Sequence, residues 1–245
     1  MNKITGVGDK FQEETRYHRE RMPRYQLDWS KRPSTFKDHE NPLSIIQLPD
    51  PKFNVTNIWE IILNRRSRRH YNSQNPLNLN MLSNLLWATQ GTTENIGEVN
   101  LRTSPSAGGL YPIETYLNVR LVENLQTGIY HFRPKFFDLE FLKSGDHSRL
   151  LSQAALHQEM VESAQITFIW TAIVERSKWK YLQRAYRYVY LDAGHIAQNL
   201  YLSAEALGLG ACGIGAFIDD EVAEIVGVDE TEEIVVYLAS VGWKT

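Results

Sequence analysis

A single cysteine, Cys212, occurs in the 245 residues, which excludes an internal disulfide framework and agrees with a reducing, cytoplasmic setting. Flanked by small residues, it reads as a small buried hydrophobe rather than a nucleophile. No stretch approaches the roughly eighteen uninterrupted apolar residues of a membrane span. The first ten residues, from Met1 to Lys10, lack the apolar core of a secretory signal. A basic surplus is also missing: 26 Lys and Arg stand against 29 Asp and Glu, with a net charge of -3 and a pI near 6.2. That balance gives no electrostatic footprint for nucleic acid. The histidines at 18, 39, 70, 131, 147, 157 and 195 form no i,i+3 or i,i+4 pair, so no metal site is expected. A Gly-x-Ser-x-Gly nucleophile elbow is absent too. What remains is a soluble, intracellular enzyme or binding domain.

No linker, low-complexity tract or internal repeat divides the chain, and its length is sufficient for one large core. Residues 1–56 are polar and without sustained period, and read as an N-terminal arm. They are either partly ordered or anchored through Trp29 and the run Ile45-Ile46-x-Leu48-Pro49, and aromatic and proline punctuation such as Met22 to Tyr25 favours anchoring. Residues 57–245 read as one domain. Helical spacing begins at Asn57, with Ile58, Ile61 and Ile62 on one face, and recurs from Leu79 to Thr89. Alternation over Thr115 to Leu121 predicts a strand, with shorter ones at Ile129 to Phe132 and Leu139 to Leu142. The apolar, β-branched runs Ile166 to Val174 and Ile234 to Val241 predict strands buried on both faces. The fold class is therefore α+β or α/β, with a central sheet covered by helices.

The most informative stretch runs from Lys180 to Phe217. Val189, Ala193, Ile196, Ala197, Leu200, Ala204 and Leu207 recur at helical steps and define one core-facing stripe. Gly194 interrupts that helix at a cost of about 1 kcal/mol relative to alanine, which calls for a close approach to its backbone. Beyond the helix, Gly208, Gly210, Gly213 and Gly215 predict a short loop able to lie flat on a planar ligand. Gly208-x-Gly210-x-x-Gly213, with Asp229 downstream, also matches the letters of a dinucleotide fingerprint. That motif needs a strand before it and a helix after it, and here the order is reversed.

Two further motifs carry chemistry. Arg65-Arg66-Ser67-Arg68-Arg69 sets four guanidinium groups at the end of the first helix, where they either complement its dipole or grip an anion such as phosphate. Pro105-Ser106-Ala107-Gly108-Gly109-Leu110-Tyr111-Pro112 places small residues between prolines, as a tight turn or as a loop that a ligand approaches closely.

Taken together, these motifs resemble the nitroreductase superfamily, and specifically its SagB-type dehydrogenases. Leu86 to Gly91, Gly128 to Phe132, Gly194 to Asn199 and Val241-Gly242 follow the same order, so the resemblance covers about residue 15 to the end. It implies an α+β fold with a mixed central sheet, an intertwined homodimer, and flavin mononucleotide (FMN) at the subunit interface. Arg65, Ser67 and Arg69, with Arg66 as an extra contact, would hold the phosphate and ribityl chain. Pro105, Ser106, Ala107 and Gly108 would line the flavin, and backbone groups of Gly213, Ile214, Gly215 and Ala216 would meet its ring. Where the family carries a C-terminal basic contact to the phosphate, this chain offers only Lys244. Lys180 and Tyr181 match the Lys-Tyr-x-x-Arg context in which the thiazole- and oxazole-forming enzymes remove a proton. A desolvated lysine can act as base and a neighbouring phenol can relay.

The implied activity is oxidation of azolines to azoles in a modified peptide or a related small substrate, with a separate cyclodehydratase supplying the ring. One alternative is a reductase of nitro compounds or quinones that draws on NAD(P)H. A second is a flavin-binding protein without turnover.

Overall fold

The computed structural model describes residues 6–17, 26–53, 56–96 and 99–245. The punctuation at Met22 to Tyr25 lies outside the described residues. The helices are α1 (Val7–Glu14), α2 (Ile58–Asn64), α3 (Leu79–Gln90), α4 (Ser148–Ala154), α5 (Glu159–Ser163), α6 (Glu175–Tyr181), α7 (Ala185–Ala206) and α8 (Asp219–Val226). The strands are β1 (Ser44–Gln47), β2 (Thr92–Ile96), β3 (Val99–Arg102), β4 (Ile113–Val119), β5 (Gly128–Arg133), β6 (Asp138–Ser144), β7 (Ile166–Ala172), β8 (Leu209–Ile214) and β9 (Ile234–Trp243).

Seven strands form one sheet in the order β1-β6-β5-β4-β7-β9-β8, and β2 and β3 make a separate hairpin. Every pairing in the large sheet is antiparallel. The fold is α+β, as expected, but the expected mixed sheet is corrected. β4, β5 and β6 are joined by short turns, a connection that only antiparallel neighbours permit. Parallel contact in the sheet region is limited, among the described residues, to isolated bridges such as Ser67 with Ala211.

Side-chain alternation gives the sheet two apolar faces. Ile113, Leu117 and Val119 of β4 join Phe168 and Trp170 of β7 in a core closed by Leu82, Leu85 and Leu86 of α3 and Val189, Ile196 and Leu200 of α7. On the other face, Tyr116, Ile169 and Leu238 meet Leu151, Met160 and Val222 from α4, α5 and α8. Each such fully buried side chain contributes about 1.5–3 kcal/mol. Asn57 and Asn78 cap α2 and α3 through their side-chain oxygens, which accept from the Trp59 and Met81 amides.

Three sequence expectations change. Gly210 and Gly213 lie in edge strand β8, paired with β9, and not in a loop, while Gly208 precedes the strand and Gly215 follows it. Both strand positions are glycine because neighbouring side chains occupy the space a β-carbon would take, Arg68 at Gly210 (2.8 Å) and Tyr237 at Gly213 (2.2 Å). This also removes the dinucleotide reading, since a helix leads into Gly208 and the next two glycines of the motif, Gly210 and Gly213, lie in a strand. On α2 only Ile61 is buried, while Ile58, Trp59, Ile62 and Leu63 are exposed. At Gly194 a β-carbon would meet nothing within 4 Å, so no part of this chain makes the close approach.

The arm contributes to the fold through β1, which pairs with β6 at the sheet edge, and through buried Leu48. Trp29 lies edge-on to Trp179, with ring centroids 5.2 Å apart.

Candidate functional site

The predicted residues fall into two groups along α7. The first surrounds Tyr201. Its hydroxyl lies 3.1 Å from Ser67 Oγ and accepts the Gly213 amide at 2.6 Å, while Arg65 covers its ring at 5.3 Å. The segment carrying Ser67 is tied to β8 by the Arg68 amide, which donates to the Ala211 carbonyl at 2.9 Å. Tyr201 was not singled out in the sequence, where it reads as part of an amphipathic helix. A tyrosine on the partly buried flank of such a helix is the one signal that marks it.

Ser67, Arg68, Arg69 and His70 line a cleft of about 390 Å³ with Lys244 and Thr245. Tyr71 and Lys244 form a bridge that brings the C-terminal end beside the arginine run. Lys244 Nζ is engaged by Glu205 at 2.7 Å. Arg66 donates Nη1 to the Leu63 and Arg65 carbonyls at 2.9 and 2.7 Å, so this guanidinium caps the end of α2. Among the described residues, none of Arg65, Arg66, Arg68 and Arg69 forms an ion pair with a carboxylate. Four adjacent cations without an internal counter-charge fit a group that brings phosphate.

Of the four residues predicted to meet a flavin ring, Gly215 and Ala216 are exposed. The Ile214 side chain is buried in the second core. The Gly213 amide is engaged by Tyr201, and the Tyr237 hydroxyl stands 2.2 Å from where its β-carbon would be, so both its N–H and that face are taken by neighbouring tyrosines.

The second group surrounds Asp192, about two and a half turns before Tyr201 and roughly 13 Å away along the helix axis. Asp192 is buried and accepts from Ser106 Oγ at 2.6 Å and from the Ala107 amide at 3.2 Å. Burial raises its carboxyl above the usual range, against the opposing pull of these two donors. Ser106 Oγ also accepts the Tyr111 amide at 2.9 Å. The loop is thereby closed into a short 3-10 turn over Ala107–Gly109, within which Gly108 sits at φ 68°. Its φ is left-handed, and its missing β-carbon leaves room for the catalytic candidates: Tyr181 Oη is 2.7 Å and Lys180 Nζ 3.0 Å from where that atom would stand. Residues more than seventy positions apart in sequence thus meet at the Pro105 to Gly108 loop. Asp192, the buried acid organising this meeting, was likewise missed, because an acid in a helix ordinarily faces solvent.

Helix α6 reaches this place through a buried charge network. Arg176 donates Nη1 to Glu114 at 2.5 Å and to the Tyr111 carbonyl at 2.9 Å. Glu114 also holds His131 Nε2 at 2.8 Å, and His131 Nδ1 lies 2.8 Å from Glu140. Burial opposes the charge on Glu114, yet Arg176 and His131 bring its carboxyl down to about 2. His39 completes the chain, its amide donating to Glu140 at 3.0 Å and its Nε2 lying 3.2 Å from the Tyr116 hydroxyl. Ligand-type atoms of His39, His131 and Glu140 lie within 4.8 Å of one another. Both His131 nitrogens are already engaged by carboxylates, which makes the group an ion-pair relay.

Among the described residues, no helix is long and apolar enough to cross a membrane. Comparison with known proteins bears on this geometry. Residues 62–243 match the family model described as the nitroreductase family. A protein of Methanocaldococcus jannaschii named as a nitroreductase is 40% identical over 185 residues, covering 76% of this chain and 90% of that protein. The microcin B17-processing protein McbC of Escherichia coli is 30% identical over 135 residues, covering 53% of this chain and 49% of McbC. A solved structure from Anabaena variabilis, named as a nitroreductase, superposes with a TM-score of 0.77 at 30% identity, over 95% of this chain and 45% of that one.

Proposed function

The chain belongs to the nitroreductase family, and within it we propose an FMN-dependent dehydrogenase of the SagB type that oxidises azolines to azoles in a modified peptide. The observation that carries this reading is the Lys180–Tyr181 pair packed on the Gly108 turn. A reductase that only passes hydride to a quinone has no carbon acid to deprotonate, whereas azoline oxidation does. The similarity to a microcin-processing protein points the same way. In that oxidation one ring carbon loses a proton and its neighbour a hydride, and a C=C bond forms between them.

Bound FMN would supply the two-electron acceptor for the hydride. Arg65, Ser67 and Arg69 would hold its phosphate and ribityl chain, and Lys244 would join them if released from Glu205. Pro105 to Gly108 and the exposed Gly215–Ala216 segment would border the ring. Lys180 takes the proton as base, and Tyr181 relays it. Asp192 keeps Ser106 and Ala107 in the turn against which both are set.

Asp192 and Tyr201, around which the proton-transfer and phosphate-binding candidates gather, stand some 13 Å apart along α7, a separation that fits a site completed by a second copy. We therefore read the enzyme as a homodimer in which the Tyr201 group of one protomer faces the Asp192 group of its partner. Residues 57–245 form the flavin domain and residues 1–56 an arm, with a separate cyclodehydratase supplying the ring.

One observation favours a second reading. The Methanocaldococcus relative, matched over 90% of its length, is named as a nitroreductase, which supports NAD(P)H-driven reduction of nitro compounds or quinones on the same flavin. Parallel assays of thiazoline oxidation and of NADPH-quinone turnover separate the two. Fast quinone reduction with no detectable thiazoline oxidation replaces the dehydrogenase by the reductase.

A further inference from the structure

The turn that carries Lys180 and Tyr181 is held from the N-terminal side of the chain at two separate points. Leu182, immediately after Tyr181, has φ 49° and ψ -136°, a conformation that a branched side chain adopts only where its surroundings impose it. Its own side chain is 48% exposed, so packing of Leu182 itself does not impose the conformation.

Arg184 and Arg187 supply the constraint. Arg184 donates Nη1 to the Thr15 carbonyl at 2.6 Å and Nε to the Tyr188 hydroxyl at 2.9 Å. Its guanidinium covers the Tyr17 ring at 4.3 Å. Arg187 donates to Thr15 Oγ1 at 2.7 Å and to the Gln12 carbonyl at 2.5 Å. These carbonyls belong to the C-terminal end of α1, where helical acceptors lack internal partners and cations are favoured. The Tyr188 ring packs in turn on Tyr181, with centroids 4.6 Å apart. At the second point, Trp179 Nε1, just before Lys180, donates to the Asp28 carbonyl at 2.9 Å, and the Trp29 ring lies against Trp179.

We propose that the N-terminal segment is a strap on the proton-transfer turn, gripping it before Lys180 through Asp28–Trp29 and after Tyr181 through α1, with Arg184 and Arg187 as positioning residues. Its catalytic consequence rests on the reading of Lys180 and Tyr181 given above. The strap holds the turn in its strained conformation, so both side chains stay against Gly108. Azoline oxidation then depends on the strap, while hydride transfer from NADPH to a quinone does not.

The test uses the full chain and three variants: the Arg184→Ala/Arg187→Ala double, Trp29→Ala and Arg184→Lys. Each is followed by amide hydrogen exchange, flavin content and kinetics with thiazoline and with NADPH plus quinone. In the double variant, amides of residues 175–188 are expected to exchange about tenfold faster as the turn opens locally. Thiazoline kcat should fall by about tenfold, with KM, flavin content and quinone turnover little changed. Arg184→Lys keeps a donor for the Thr15 carbonyl and should recover most of the loss. Should the double variant fail to fold, Trp29→Ala releases the other grip and is expected to speed exchange over the same residues. Unchanged exchange over 175–188 while residues 7–15 lose protection overturns the strap. If wild type oxidises no thiazoline, the dehydrogenase reading fails, yet the exchange data still decide the strap.

Discussion

Tyr181 Oη lies 2.7 Å from the place a β-carbon on Gly108 would occupy, with Lys180 Nζ 3.0 Å away. Alanine at this position would therefore displace both side chains, and at φ 68° it would carry backbone strain on the order of 1 kcal/mol. We expect Gly108→Ala to fold, to retain flavin and to lose most thiazoline oxidation. A variant with unchanged kcat would separate the loop from the reacting groups.

Lys180→Ala and Tyr181→Phe should keep the fold and the flavin while lowering thiazoline oxidation by about 10²- to 10⁴-fold, the usual scale for a positioned acid or base. NADPH-quinone turnover in the same variants should be spared. Equal losses in both assays would move the pair from proton transfer to cofactor binding.

Much of the architecture was legible in the sequence because it is periodic. The stripe from Val189 to Leu207 marks α7, and the continuous apolar runs mark β7 and β9, which differ from the expected bounds by a few residues at most. The strand sense and the identity of β8 were not legible. A glycine run carries no periodicity, and only the tertiary positions of Arg68 and Tyr237 show why β-carbons are missing there. Within the site, the motifs identified which residues matter but not which ones meet. Lys180 and Gly108 come together through Arg176 and Glu114, buried charges that no local pattern marks as interior. Helix α1 was illegible for a related reason, since Gln12 and Thr15 at its end are held by Arg184 and Arg187 more than 160 positions away.

The arginine run makes a quantitative prediction for the cofactor. Replacing Arg65 and Arg69 together by alanine removes two charge-assisted contacts to phosphate, each worth about 1.5–3 kcal/mol. Purified wild type should be yellow and release FMN on denaturation, whereas the double variant should purify largely without flavin. Arg66→Ala should lose much less, because its guanidinium is spent on the Leu63 and Arg65 carbonyls. Full flavin occupancy in the double variant would place the phosphate elsewhere.

Gly194 bears on the dimer. It lies on the exposed side of α7 near Tyr190 and Leu191, which are 54% and 58% exposed, and nothing in its own chain comes within 4 Å of a β-carbon there. In an isolated protomer Gly194→Leu should stabilise the helix by about 1 kcal/mol. If a second copy crosses at this backbone, the same change should split the dimer and cost flavin. Light scattering on both proteins distinguishes the cases, and a wild type that is monomeric with flavin bound would end the two-protomer reading.

The buried network sets the dependence of stability on pH. Burial, reinforced by the charges on His131 and Lys37, brings His39 from 6.5 down to about 4, so the folded protein holds it neutral while the unfolded chain protonates it. The groups facing His39 are His131, Lys37, Tyr116, Glu140 and Glu233. A depressed base binds more protons when unfolded, so its contribution is present above pH 6.5 and lost as the pH falls toward 4. Glu114, brought down to about 2 against its own burial, adds a loss that begins only below its unfolded value of 4.5. His131 acts in the opposite sense: burial opposes its charge, but Glu114 and Glu140 raise it, so its contribution is complete below pH 6.5 and fades as the pH rises through its folded value. Urea midpoints for wild type should therefore fall between pH 6.5 and 4 and fall further below 4.5. His39→Gln should flatten the first decline and leave the second. A variant whose midpoints track wild type across pH 6.5 to 4 would assign that decline to another group.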